Sequence, residues 1–332
     1  MHLGRKMERN YKIDNMKGSM ILLVVLGHLV EVTAGWESVV GLSLMEVIFM
    51  FHMPAFIFLS GMTFNRLKWK ERAIQILFIY VIFQVLYSSY FVHKGVITAS
   101  DAVFKPYWLL WFLVSLSSFY AICGLFGPKI SMLCVAVIIS LLAGSLPFNE
   151  YVFSWLRTAV FLPFFIAGIL CTKNFIVSKP VAVASVVIGL AAIIFTISFG
   201  INYKLWFGVY NFDDLAVSIF NGIGMRMFAI TASFSLIFAF LSLTSNKKGL
   251  ISLIGENSLS IYLLHGFFVI VVSKIYTVFG HGINEYLSVF ISFILTMVVT
   301  MVVIKLPAEK IIREIMNIPL SIMKKNANSI QR

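Results

Sequence analysis

Charged side chains are scarce in this chain. Of its 332 residues, 12% are Asp, Glu, Lys or Arg, and 60% are hydrophobic. A soluble globular domain carries roughly twice that share of charge, so the composition excludes an ordinary soluble domain. The net charge is +12, but the lysines and arginines lie in short clusters between apolar runs. We therefore predict the lipid bilayer as a partner and no nucleic-acid partner.

Cysteine is also rare. The three cysteines, Cys123, Cys134 and Cys171, fall within or at the edge of apolar runs and have no paired spacing. This pattern excludes a disulfide framework and a cysteine metal site of the usual spacing. We predict packing roles for all three, as is usual for free cysteine, and no metal cofactor.

Long apolar runs recur from end to end, and runs near 20 residues can cross a bilayer as helices. No internal repeat, low-complexity tract or soluble domain interrupts them. The sequence therefore predicts an all-α, polytopic integral membrane protein, with 1–332 as a single membrane-embedded domain, a cytoplasmic leader at 1–16 and a cytoplasmic tail at 307–332. Its ten predicted transmembrane helices are 17–35, 42–63, 73–92, 106–126, 130–147, 157–172, 180–200, 219–243, 258–279 and 284–306.

Basic residues are unevenly divided between the loops. On one side they lie in the leader, at 66–72, at Lys129, at Lys173 and Lys179, at 247–248 and in the tail. Positively charged loops stay in the cytoplasm, so we predict that both termini are cytoplasmic, as an even number of spans requires. The loops of the other side carry few basic residues: Lys94, Lys105, Arg157 and Lys204.

An ionisable pair lies inside the first predicted helix. His28 follows Lys17 by 11 residues, which is about 16 Å along a helix. Glu31 is on the same helical face, three residues later. Ionisable groups at bilayer depth usually mark function, and a carboxylate can orient an imidazole and stabilise its cation. The alternative is that the two side chains only hydrogen-bond within the helix bundle.

The second predicted helix carries His52, two residues before Pro54. Proline removes a backbone donor and can free carbonyl groups to face a cavity. A satisfied core histidine is an equally good interpretation of His52. Near the end of this helix, Ser60 and Gly61 predict close packing of a neighbouring helix.

Two further regions offer candidate substrate contacts. Arg226 follows two glycines in the eighth predicted helix, where it could hold an anionic lipid-linked substrate or pair with Glu31. The outer loop 201–218 is rich in aromatic residues, which suit either a membrane-interface belt or a stacking surface for sugars. The candidate sugar contacts in this loop are Trp206, Asp213 and Asp214.

Four motifs occur in a fixed order along nearly the whole chain. Together they resemble those of the acyltransferase-3 superfamily, integral membrane enzymes that O-acylate sugars, and the first segment is most similar to the fucose 4-O-acetyltransferase-like branch. The matching residues are Lys17 and His28; 51–54 with Ser60 and Gly61; Trp108, Trp111, Phe112 and Leu113; and Ser258, Ile261, Tyr262 and His265.

The resemblance implies an acyl-transfer enzyme of the cell membrane, which we expect to be the bacterial cytoplasmic membrane. It implies acetyl-CoA as the donor and substrate contacts by Trp111, Tyr262 and His265. Family members often carry an Arg-x-x-Arg pair at the start of the third helix, but no such pair is in register here. The resemblance implies that the basic cluster at this place binds the phosphates of acetyl-CoA, although a positive-inside anchor explains each member equally well. The cluster consists of Arg66, Lys68, Lys70 and Arg72.

The sequence thus predicts a membrane O-acyltransferase that acetylates a cell-surface polysaccharide or its lipid-linked sugar precursor. His28 is the predicted general base or acyl carrier, Glu31 orients it, and His52 assists. We expect both histidines to line one cavity. The rival prediction is a transporter or flippase in which His28, Glu31 and Arg226 relay ions. The absence of two related halves in the sequence favours the enzyme.

Overall fold

The computed structural model describes residues 11–146, 151–172, 175–280 and 282–330, without the side chains of Tyr90 and 326–330. Residues 1–10 of the predicted leader and 331–332 of the predicted tail lie outside this part of the chain. Throughout the described ranges the protein consists of helices and their connections, with no β-strand.

The helices follow one another through short turns, and their bounds are as follows. They are α1 (Tyr11–Thr33), α2 (Val39–Met62), α3 (Trp69–His93), α4 (Ala99–Phe104), α5 (Trp111–Phe126), α6 (Ile130–Leu142), α7 (Trp155–Leu170), α8 (Lys179–Phe199), α9 (Lys204–Phe207), α10 (Ile219–Leu243), α11 (Leu250–Glu256), α12 (Ser258–Phe279), α13 (Glu285–Lys305) and α14 (Ala308–Ile330).

Nine helical segments in the described chain are long and apolar enough to cross a bilayer. A shorter apolar segment, Ile130–Ser145, occupies the place of the fifth predicted span. The predicted all-α, polytopic fold is confirmed, with nine long segments and one short segment where ten spans were expected. The cytoplasmic position of the termini stays a prediction.

Two helices extend beyond the predicted spans. α1 is helical from Tyr11, the first described residue, and the side-chain amide of Asn15 donates hydrogen bonds to two backbone carbonyls of the α10–α11 connection. The predicted tail forms α14, which packs on α3 and α12. Its buried Ile312 and Met316 alternate with charged positions, so no uniformly apolar run marks it in the sequence.

α1 is a central helix that packs against α2, α11, α12 and α13. Gly18 of α1 and Gly255 of α11 lie so close that a Cβ on either would overlap a backbone carbonyl oxygen of the other helix. Gly61 of α2 and Gly168 of α7 make the same kind of contact. The close packing predicted at Gly61 is confirmed, and these two contacts fix the helices that carry His28 and His52.

Pro54 lies inside α2, and the helix continues through it. Proline lacks the N–H that would bond the carbonyl four residues earlier. That carbonyl belongs to Met50, and it accepts a hydrogen bond from Oγ of Ser233 on α10 at 2.5 Å. The proline thus frees one carbonyl, which binds a neighbouring helix beside a void of about 20 Å³ that Met50 and Pro54 border.

The three cysteines lie in different environments. Cys123 is buried, Cys171 is half-buried and Cys134 is exposed on the outer face of α6. The packing role is confirmed for Cys123 and is wrong for Cys134.

Candidate active site

One end of the helix bundle contains a cavity of about 330 Å³. Its walls come from α1, α2, α5, α7 and α12, and from connections at the end of the bundle where α1 ends. The uneven distribution of basic loops predicts that this end faces away from the cytoplasm. Six of the predicted site residues line the cavity: His28, Glu31, His52, Trp111, Trp206 and Tyr262.

The His28–Glu31 pair forms as the helical spacing predicts. Glu31 follows His28 by three residues on α1, and its Oε2 lies 3.1 Å from Nδ1 of His28. A carboxylate accepts hydrogen bonds only, so Nδ1 carries the proton that it donates to Glu31. The other ring nitrogen, Nε2, is left with its lone pair. The pair is thus arranged to accept a proton at Nε2 and to stabilise the resulting cation.

Trp108 forms an aromatic wall against His28. The two ring centroids are 4.5 Å apart, with the rings nearly perpendicular. The backbone of Trp108 has φ of 34°, a left-handed conformation that costs a non-glycine residue about 1–3 kcal/mol. Gln84 of α3 holds this strained connection: it accepts a hydrogen bond from the N–H of Tyr107 at 2.8 Å and donates to the carbonyls of Lys105 in the connection and Ala102 in α4.

His265 lies behind His28 rather than in the cavity. Its side chain is fully buried, and its ring stacks on His28 with 5.5 Å between centroids. Nδ1 donates to the carbonyl of Tyr262 at 2.8 Å, whereas Nε2 has no partner among the described residues. His265 does not line the cavity in this structure, and its predicted substrate contact stays a prediction.

His52 lines the same cavity as His28, as expected from the sequence. Its Nδ1 donates to the carbonyl of Ile48 at 2.7 Å, which leaves Nε2 with a lone pair. The ring of Phe49 contacts both histidines, with centroids 5.3 Å from His52 and 6.4 Å from His28. The shared cavity is confirmed, and the chemical role of each histidine stays a prediction.

Aromatic rings form most of the remaining wall. The short helix α9 carries Trp206 and Phe207 into the cavity, and Tyr203 stacks on Trp36 from the α1–α2 connection at 4.5 Å between centroids. Flat apolar faces with a few polar groups at their edges are typical of small-ligand sites. Aromatic residues of the loop 201–218 thus line the cavity, and their stacking on sugars stays a prediction.

Three predicted substrate contacts lie elsewhere. Asp213 and Asp214 are exposed in a turn, where Asp214 accepts from the backbone N–H of Asn211 at 3.3 Å, and neither lines the cavity. Arg226 is 2% exposed and borders a separate void of about 20 Å³. Its nearest acceptor is the carbonyl of Leu205, 3.4 Å from Nη1. Arg226 and Glu31 form no ion pair in the described part of the chain, where Glu31 binds His28.

Arg157 is a cavity residue that the sequence reasoning missed. It lies in the first turn of α7, with its guanidinium carbon 4.8 Å from the ring centroid of Trp111. Nε donates to the carbonyl of Phe207 at 3.1 Å. One feature of the sequence could have identified Arg157. It lies at the edge of an apolar run, on the side where basic residues are few. From the sequence alone, Arg157 is named only among the few basic residues of that side.

A second cavity, of about 480 Å³, opens at the opposite end of the bundle. It lies between α3, α5 and α14 and contains the guanidinium groups of Arg72 and Arg313. Of the predicted donor-binding cluster only Arg72 lines it. The other three members, Arg66, Lys68 and Lys70, are exposed and lie outside it, because they precede or face away from the groove.

The two cavities approach each other inside the bundle. Phe112 borders the second cavity and Tyr262 borders the first, and their ring centroids are 5.4 Å apart. The phenol of Tyr262 donates to the carbonyl of Leu109 and holds this contact in place. The walls of the two cavities are therefore in contact at this pair of aromatic rings.

A multi-pass helical bundle with a His–Glu pair in an aromatic cavity defines a membrane protein with a candidate proton-transfer site. The chain belongs to the acyltransferase-3 family: a family model described as an acyltransferase domain matches residues 10–305. The protein is therefore a membrane acyltransferase. No curated protein and no solved structure matches the chain. α14, with Arg313, lies beyond the matched residues.

Proposed function

We propose that the protein is an O-acetyltransferase that moves an acetyl group from cytoplasmic acetyl-CoA to a hydroxyl of a cell-surface polysaccharide or of its lipid-linked sugar precursor. The observation that carries this proposal is the His28–Glu31 pair, because it lines an aromatic cavity in a member of an acyltransferase family. Acyl transfer to a hydroxyl needs a base, and the unprotonated Nε2 of His28 is suited to that role.

The proposed reaction uses the two ring nitrogens of His28 differently. Nε2 takes the proton of the acceptor hydroxyl as its oxygen attacks the thioester carbonyl, and Glu31 stabilises the imidazolium through Nδ1. The C–S bond then breaks, and the proton passes from Nε2 to the leaving sulfur, which gives CoA thiol and an O-acetyl ester. A direct attack by Nε2, with a transient acetyl-histidine, uses the same geometry. His52 offers a second nitrogen to position the reacting groups.

The donor is proposed to enter through the second cavity. Arg72 and Arg313 line this cavity, and guanidinium groups pair well with phosphates. Arg72 donates one hydrogen bond to Gln75 and Arg313 pairs with Glu309 at 2.6 Å, so a phosphate would use their remaining donors. The thioester of the donor must then pass Phe112 and Tyr262 to reach His28. In this proposal the two rings separate during turnover, and their contact keeps the cavities apart at rest.

Glycan analysis of cells with and without the gene tests the proposal. We expect the deletion strain to lose an O-acetyl signal from its surface glycan and the wild-type gene to restore it. A His28→Ala variant, present in the membrane at normal amounts, should fail to restore it. An unchanged O-acetyl content in the deletion strain would contradict the proposal. A strongly reduced amount of surface glycan, with the residual glycan normally acetylated, would favour the transporter instead.

A further inference from the structure

One charged group in the active-site cavity has no part in the proposed transfer chemistry. Arg157 lines the cavity, stacks on Trp111 and donates from Nε to the carbonyl of Phe207. A guanidinium group has five N–H donors, and this hydrogen bond uses one of them. Among the residues that the structure describes, Arg157 forms no ion pair.

An unpaired cation in a partly dehydrated cavity is unfavourable. Arginine cannot lose its charge, because its guanidinium stays protonated in proteins. Within the described walls of the cavity the only carboxylate is Glu31, and it is bonded to His28. The remaining donors of Arg157 are therefore available to an anionic group that comes from outside the protein.

Two tryptophans connect this cation to the candidate base. The ring centroids of Trp108 and His28 are 4.5 Å apart. The guanidinium carbon of Arg157 lies 4.8 Å from the ring centroid of Trp111. Trp108 lies in the connection before α5, Trp111 is the first residue of α5, and both side chains line the cavity. A ligand that spans this wall can have one group at His28 and another at Arg157.

We propose that Arg157 binds a carboxylate or phosphate of the acceptor, so that the substrate is an acidic glycan or a phosphate-bearing glycan precursor; this inference rests on the proposed function. The guanidinium fork matches both anions with two parallel hydrogen bonds, and Trp111 fixes its plane. Tyr210 lies near Arg157 in the same cavity. Burial raises the pKa of Tyr210, so its phenol stays protonated and adds no competing negative charge.

The test uses the glycan of the producing cells after removal of its O-acetyl groups by mild base. Three acceptors are compared with purified protein in lipid nanodiscs: the untreated glycan, the same glycan after chemical reduction of its carboxylates, and the glycan after enzymatic removal of phosphate. We expect the wild type to lose about 10- to 100-fold in kcat/KM on one of the two modified acceptors. The acceptor that loses activity identifies the anion as carboxylate or phosphate.

Variants of Arg157 link this preference to the cavity. Arg157→Gln should raise the KM for the untreated glycan by about 10- to 100-fold and should no longer distinguish it from the modified acceptor. Arg157→Lys keeps the charge but lacks the two parallel donors of the guanidinium group. Its KM for the untreated glycan should lie between those of the wild type and Arg157→Gln. The matched control is Lys94→Gln, which removes an exposed cation at the same end of the bundle but outside the cavity. It should behave as the wild type.

Three outcomes would overturn the inference. Equal wild-type activity on all three acceptors would show that no anion is recognised, and would leave the proposed function intact. An Arg157→Gln variant that loses activity equally on every acceptor would show that Arg157 only supports the fold. If the wild type transfers acetyl to none of the acceptors, the proposed function fails and the assignment of an acidic acceptor fails with it.

Discussion

Replacing Glu31 by glutamine tests the hydrogen bond between the carboxylate and the candidate base. Oε2 of Glu31 lies 3.1 Å from Nδ1 of His28, and the two side chains are 28% and 16% exposed. A hydrogen bond to a charged group contributes about 1.5–3 kcal/mol, and partial exposure to water favours the lower part of this range. The imidazole gains its positive charge only as the reaction proceeds, so the carboxylate acts mainly on the transition state.

From these values we expect Glu31→Gln to lower kcat by about 10- to 30-fold, because about 1.4 kcal/mol corresponds to a factor of ten. The KM values for both substrates should change little. His28→Ala should cost more, since a positioned general base contributes about 100- to 10,000-fold. The glutamine variant still orients the ring through its amide oxygen but cannot neutralise the cation.

The assay measures thiol release from acetyl-CoA by purified protein in lipid nanodiscs with its glycan acceptor. The control is Asp101→Asn, which removes a carboxylate from an ion pair with Lys105 outside the cavity and should keep wild-type kcat. Two results would refute the reasoning. One is an unchanged kcat in Glu31→Gln. The other is a larger loss in Glu31→Gln than in His28→Ala, which would reverse the roles of the two residues.

Two further predictions concern the donor cavity and the helix contacts. Arg72→Gln should raise the KM for acetyl-CoA about tenfold with little change in kcat, because a remote phosphate contact stabilises the ground state and the transition state alike. The control is Lys68→Gln, outside that cavity, which should leave the KM for acetyl-CoA unchanged. If Arg72→Gln and Lys68→Gln have the same KM, Arg72 does not bind the donor. Gly61→Ala should lower the thermal unfolding temperature, since a Cβ would overlap the carbonyl of Phe165 and cost about 1–3 kcal/mol. Gly224→Ala, with open space around it, should be tolerated, and a similar loss in both variants would contradict the contact.

Local features of the sequence predict much of the fold and the centre of the site. The apolar runs locate the helices because a bilayer imposes length and composition on each span. The His28–Glu31 pair follows from helical spacing alone. His52 joins it because consecutive helices with a short connection pack side by side. These predictions need no knowledge of how distant segments meet.

The remaining features depend on contacts between helices that are distant in sequence. Arg157 becomes a cavity residue only because α5 and α9 bring Trp111 and Phe207 against it. His265 does not line the cavity, because α12 places its ring behind that of His28. Arg226 was expected in the site because a buried arginine usually marks function, but α10 turns it toward a separate void. Periodicity within one helix cannot distinguish these orientations.

The most direct test of the account is transfer of a labelled acetyl group by the purified protein in proteoliposomes. Acetyl-CoA with a radioactive acetyl group and the de-O-acetylated glycan are supplied together, and the label in the recovered glycan is measured before and after mild base. The account predicts base-labile label with the wild type and at least a 100-fold loss with folded His28→Ala. Wild-type transfer by the His28→Ala protein, or no transfer by the wild type, would contradict it.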